Sequence, residues 1–149
     1  MISVRNRVEV MHGVNLSELG RRDPEHYGDL TYPELEREVG QMGHELGLTL
    51  RFMQTNHEGE FVEHLHRLPE LADGAVLNPG SWTHYSYAIR DALELTGVPA
   101  IEIHISDVDS REDWRRHSVL EGLVSGRIAG KGLDGYREAL ELLKAELEK

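Results

Sequence analysis

The sequence predicts an α/β protein: one doubly wound sheet of five parallel strands, with helices on both faces. Two observations carry this. Short runs rich in Val, Ile and Leu alternate along the chain with longer stretches whose apolar residues recur every three or four positions. Strand and helix alternating in this way make parallel strands joined by crossover helices. The second observation is the run Ala100–Ser106, approached through Val98-Pro99 and left through Ser106-Asp107-Val108-Asp109. Parallel strands are covered on both faces and read as nearly continuous apolar residues, as this run does at Ile101, Ile103 and Ile105.

Each element has its own warrant. Val8–Met11 is a short first strand that ends in the Gly-containing loop His12-Gly13-Val14-Asn15-Leu16. Gly20–Asp29 is polar and turn-rich, with neither period; a loop of this length in a compact domain is functional or mobile. Thr31-Tyr32-Pro33-Glu34 starts a helix with Pro in the first turn, and Leu35, Val39, Met42 and Leu46 form its apolar stripe before Gly47 stops it. Leu48–Gln54 alternates and reads as the second strand. Thr55–Glu60 caps a helix with the stripe Phe61, Leu65 and Leu68, ended by Pro69. Ala75–Asn78 is a buried third strand, turned by Pro79-Gly80-Ser81, and a helix from Thr83 to Leu95 follows, stopped by Gly97. After the fourth strand come a short helix over Arg111–His117, a fifth strand at Gly126–Gly130, and an amphipathic helix from Asp134 to the end. The flavodoxin-like strand order is the expected one, in a single domain over 1–149.

Composition narrows the function. The 16 Lys and Arg stand against 27 Asp and Glu, for a net charge of -11. Nucleic acid is excluded as a general partner, because binding it requires a basic surface. An anionic small molecule would need a local arginine cluster to hold it against the overall field. With no cysteine there are no disulfides, thiolate metal sites or cysteine nucleophiles. Met1–Arg7 lacks the apolar core of a signal peptide, and no run approaches the ~20 apolar residues of a membrane span, so a cytoplasmic protein is expected.

Polar residues gather where the strands end. Strand one delivers Asn15, strand three Asn78, and strand four Glu102, His104 and Ser106. The C-terminal ends of strands are where open α/β sheets bind ligands. Glu102 and His104 lie two apart on a strand and share a face. A buried carboxylate and imidazole must pair, and the pair is either a structural one or part of a site. Arg111 and Arg115 follow within a few residues, which favours a site. Nine histidines invite a metal, but His64 and His66 point to different sides of a helix, and His57-Glu58 lacks the second His of a zinc-protease motif. Gly80-Ser81-Trp82-Thr83-His84 is no nucleophile elbow, and Gly13-Val14-Asn15-Leu16-Ser17 no P-loop. His12, His26, His44 and His117 read as surface residues.

Five separated motifs in collinear order resemble those of type II 3-dehydroquinate dehydratase. They are His12-Gly13-Val14-Asn15-Leu16 with Leu19–Pro24 and Tyr27-Gly28; Gln54–Gly59; Leu77–Gly80; Thr83-His84 with Arg90–Leu93; and Glu102–Ser106 with Arg111-Glu112 and Arg115. The resemblance implies a lyase that removes water from 3-dehydroquinate to give 3-dehydroshikimate by anti elimination through an enolate, in the shikimate pathway or quinate breakdown, with no cofactor, metal or Schiff base.

The same resemblance assigns roles. Tyr27 is the base, acting as a phenolate on the C2 proton. An isolated tyrosine ionises near pH 10, so neighbouring cations are needed, and Arg22 and Arg111 supply them. Asn15 holds the enolate through a water, and His104, oriented by Glu102, protonates the departing C1 hydroxyl. Asn78, Ser106 and the backbone of Ile105 and Ser106 bind the carboxylate. His84 and Arg115 hold ring hydroxyls, and Asp91 reaches in from a neighbouring subunit of a trimer, the trimers stacking into a dodecamer. This chain departs from the family at His12 and Val14, where Asn and Pro are usual, and at Tyr85 and Tyr87, beside the assigned positions. A dehydratase for a modified quinate-type ring and a non-catalytic flavodoxin-like binding or assembly protein are the alternatives. Retention of base and acid together speaks against the latter.

Overall fold

The structure, a computed structural model, describes residues 4–149; Met1, Ile2 and Ser3, part of the amino-terminal stretch read above, lie outside it. Five strands form one parallel sheet in the order β2-β1-β3-β4-β5. They are β1 (Arg7–His12), β2 (Thr49–Gln54), β3 (Gly74–Asn78), β4 (Ala100–His104) and β5 (Gly126–Ala129). This is the expected flavodoxin-like order, reversing direction between β1 and β3. The helices are α1 (Pro24–Tyr27), α2 (Tyr32–Glu45), α3 (Glu58–Leu71), α4 (Tyr87–Thr96) and α5 (Asp134–Leu147).

Two apolar layers sandwich the sheet. On one side Leu35 and Val39 of α2 and Tyr136, Leu140 and Leu143 of α5 pack on Val8, Val10, Ile101 and Ile103. On the other, Phe61 and Leu65 of α3 and Ile89 and Leu93 of α4 pack on Met11, Ala75 and Leu77. Every residue of β3 and β4 is buried, as covering on both faces requires.

Four local expectations are corrected. The Gly20–Asp29 stretch contains the one-turn α1, because the Asp23 side chain accepts from the Glu25 N–H and Pro24 occupies the first helical turn. Pro69 does not end α3, which runs on to Leu71. Near a helix end a proline disrupts only the last turn. The helix expected from Thr83 is a 3₁₀ turn over Gly80–His84 followed by α4, because Ser86 accepts from the Ile89 N–H and restarts the helix. The short helix over Arg111–His117 is instead two 3₁₀ turns, Val108–Ser110 and Asp113–Arg116. Among the described residues no helix is long and apolar enough to cross a membrane.

Candidate active site

The loops after β1 and β3 cross in contact. A Cβ on Gly13 would lie 2.3 Å from the Pro79 carbonyl oxygen, and one on Gly80, whose φ is +67°, would lie 2.6 Å from that of Val14. Only glycine fits at either point. The crossing brings Asn15 and Asn78 to one side of a cavity of about 160 Å³ at the C-terminal edge of the sheet. Asn15 has a left-handed backbone, φ 70°, and its N–H donates to Asn56 Oδ1 at 2.9 Å. Gln54 Nε2 donates to the same oxygen and to the Gly13 carbonyl, both at 3.2 Å. The stretch after β2 therefore buttresses the Asn15 loop from outside the cavity.

Ten of the twelve expected site residues line the cavity: Asn15, Arg22, Tyr27, Asn78, His84, His104, Ile105, Ser106, Arg111 and Arg115. Its wall carries three guanidinium groups and no carboxylate, in a chain of net charge -11. The α1 segment delivers Tyr27, whose hydroxyl accepts from Arg111 Nη1 at 2.8 Å. Arg22 lies over the Tyr27 ring, 3.9 Å from its centroid. The Arg22 guanidinium is held below its ordinary value first by burial, then by Arg111 and Arg115; charge on Tyr27 pulls the other way. Three cations crowded together at low dielectric call for a negative charge among them.

Glu102 is wholly buried behind His104 rather than on the wall. His104 Nε2 lies 2.6 Å from Glu102 Oε2, which leaves Nδ1 for the cavity that the ring lines. Burial alone would raise the Glu102 carboxyl. The His104 hydrogen bond and charge, with the Thr83 and Ser118 hydroxyls, outweigh it and hold it at about 2. Thr83 Oγ1 donates to Oε2 at 2.6 Å and Ser118 Oγ to Oε1 at 2.7 Å. Arg127 Nε stands 3.6 Å from Oε2. A carboxylate so clamped fixes the ring that it touches.

Asp91 lies exposed on α4, outside the cavity of its own chain. Arg90 does not cap it; its guanidinium donates to the carbonyls of Val119 and Glu121. Sequence reasoning missed Thr83, Ser118 and Arg127 as partners of Glu102, because they converge from three separate segments. It also missed Trp114, which lines the cavity with its ring edge-on to His84 at 5.2 Å and under the Arg115 guanidinium at 4.1 Å. Its signal was an aromatic between the two site arginines, Arg111 and Arg115. His12 is a correction: it is fully buried, not on the surface, and bridges Tyr32 and Tyr136. Of the other three, His44 and His117 are exposed and His26 half-buried. Asp23, Glu25 and His26 gather outside the cavity, the two acids exposed.

The fold and this cavity define an α/β enzyme with a small, arginine-lined polar cavity at the C-terminal edge of its sheet. Comparison with known proteins gives the particular family. The family model described as "Dehydroquinase class II" matches residues 6–144. A "3-dehydroquinate dehydratase" of Pelotomaculum thermopropionicum is 47% identical over 139 residues, 93% of this chain and 96% of that protein. One from Thermotoga maritima is 46% identical over 142 residues, 95% and 97% of the two chains. The crystal structure of a type II dehydroquinase from Butyrivibrio crossotus superposes with a TM-score of 0.91 at 38% identity, covering 95% of this chain and 99% of that one. A 3-dehydroquinate dehydratase-like protein from Bifidobacterium longum superposes at 0.70 with 28% identity, covering 97% and 99%. The chain belongs to the dehydroquinase class II family.

Proposed function

We propose that the chain dehydrates 3-dehydroquinate to 3-dehydroshikimate, with the cavity as its active site. The observation that carries this reading is Tyr27, its ring under the Arg22 guanidinium and its hydroxyl bonded by Arg111, in a wall without carboxylates. Two guanidiniums stabilise a phenolate there, and a phenolate is a competent base for a proton next to a carbonyl. Tyr27 takes the C2 proton. The electron pair moves onto the C3 oxygen as an enolate, which Asn15 stabilises through a water. Collapse of the enolate expels the C1 hydroxyl, and His104 supplies the proton that makes it water. Glu102 holds the ring so that the proton-bearing nitrogen faces the leaving group, and stabilises the imidazolium before transfer.

The substrate carboxylate sits against Asn78, Ser106 and the N–H groups of Ile105 and Ser106. His84 and Arg115 take the ring hydroxyls. Because Asp91 is exposed and lies outside its own cavity, it serves a neighbouring chain's cavity within a trimer, and the trimers stack as a dodecamer. No step calls for a metal, a cofactor or a lysine adduct. Conversion of 3-dehydroquinate by the purified wild-type protein, lost in Tyr27→Phe, tests the reading. Retained activity in that variant moves the base elsewhere.

A further inference from the structure

Asn78 does not stand alone in the cavity wall. Behind it a chain of hydrogen bonds runs from the cavity wall to the start of α2. Asn78 Nδ2 lies 3.3 Å from the Tyr136 hydroxyl, and Asn78 Oδ1 lies 3.2 Å from the Gly80 backbone nitrogen. The Tyr136 hydroxyl lies 2.9 Å from His12 Nε2, and His12 Nδ1 lies 3.1 Å from the Tyr32 hydroxyl. His12 and Tyr136 are both fully buried, so no water takes a place in the chain at either residue.

The direction of every bond follows from one fixed donor. The Gly80 N–H can only donate, so the amide atom facing it is the oxygen. The other amide atom is then the NH₂ group, which can only donate, so the Tyr136 oxygen accepts from it. The single Tyr136 proton must go elsewhere, and the remaining neighbour is His12 Nε2. That nitrogen is therefore the unprotonated one, and neutral His12 carries its hydrogen on Nδ1. The Nδ1–H donates to the Tyr32 hydroxyl. With the oxygen and one N–H of Asn78 both engaged by the protein, a single N–H is left for the cavity.

We propose that Tyr136 and His12 are positioning residues for anion recognition: they lock the Asn78 amide so that it presents one N–H donor, and no acceptor, to an oxygen of the substrate. The assignment deepens the proposed function, since the oxygen in question belongs to the substrate carboxylate. An amide free to turn over would offer its oxygen to that carboxylate half of the time, and the two would repel. Recognition of an acid over its uncharged analogues then depends on residues that never touch the substrate.

The test has two independent arms. The first is ¹⁵N NMR of histidine-labelled wild-type protein, which reads the His12 tautomer without any turnover. The Nδ1–H form is expected, and the Nε2–H form would overturn the chain. The second is steady-state kinetics on 3-dehydroquinate with Tyr136→Phe, which keeps the ring in the core and removes only the hydroxyl. KM should rise about 3- to 10-fold with kcat within a factor of about two, because binding and transition state lose the same contact. His12→Leu, which leaves the Tyr136 proton without an acceptor, should do the same, and His12→Gln, which restores one, should recover most of it. An unchanged KM in folded Tyr136→Phe, or a loss confined to kcat, would overturn the proposal. If wild-type protein turns over no 3-dehydroquinate, the functional reading fails on its own and the NMR arm still decides the chain.

Discussion

His12 makes the folded protein sensitive to acid well above the carboxylate range. Burial pushes its imidazole from an ordinary 6.5 down to about 3. Below pH 6.5 the unfolded chain protonates this residue, while the folded chain resists until about pH 3. The unfolded state then binds more protons, so stability falls as pH falls. Each pH unit in that window is worth about 1.4 kcal/mol, and the whole window about 5 kcal/mol. Glu102 works in a lower window. Its stabilisation is complete above 4.5 and is lost as pH falls toward about 2. Between pH 6.5 and 5, His12 is therefore the main contributor, with His84, also lowered by burial, acting in the same direction. Going from pH 6.5 to 5 should cost wild-type protein about 2 kcal/mol through His12. At a typical urea slope that moves the unfolding midpoint by about 1 M. His12→Gln removes the titration, so its midpoint should fall correspondingly less over the same interval, measured at fixed protein concentration. Parallel falls in the two proteins would refute the reasoning.

Three further outcomes are expected. Tyr27→Phe should lower kcat by about 10²–10⁴-fold with little change in KM, because it removes a base and keeps the binding contacts; steady-state kinetics decides it. Borohydride added with substrate should leave no covalent adduct by mass spectrometry, since the cavity wall carries no lysine. Tyr27→Phe and Asp91→Asn should each be inactive alone. Unfolded together and refolded at equal amounts, they should regain about a quarter of wild-type activity, the share of shared sites that combine one intact residue from each chain. No recovery, or a fully active 16.9 kDa monomer by light scattering, would rule out the shared site.

Most of this was legible in the sequence where a local period or a local cap sets the structure. The five strands and their order followed from the alternation of strand and helix and from the nearly continuous apolar run around β4. The Glu102–His104 pair followed from a two-residue spacing on a buried strand. What stayed hidden depends on contacts between distant segments. His12 sits at the end of β1, where residue type alone gives no sign that Tyr32 and Tyr136 close over it. Thr83, Ser118 and Arg127 meet Glu102 from a 3₁₀ turn, a loop and β5, and no spacing rule joins them. The α1 turn was marked by Asp23-Pro24 but lay inside a stretch dominated by turn residues. The break between the 3₁₀ turn and α4 rests on Ser86, one hydroxyl accepting one N–H.

The enolate mechanism stands or falls on one assay. Purified wild-type protein, incubated with 3-dehydroquinate, should produce the ultraviolet absorbance of a conjugated enone as the C1 hydroxyl leaves. The absorbance should rise in proportion to protein and need no added metal or cofactor. Folded protein that leaves the spectrum unchanged at saturating substrate would contradict the account.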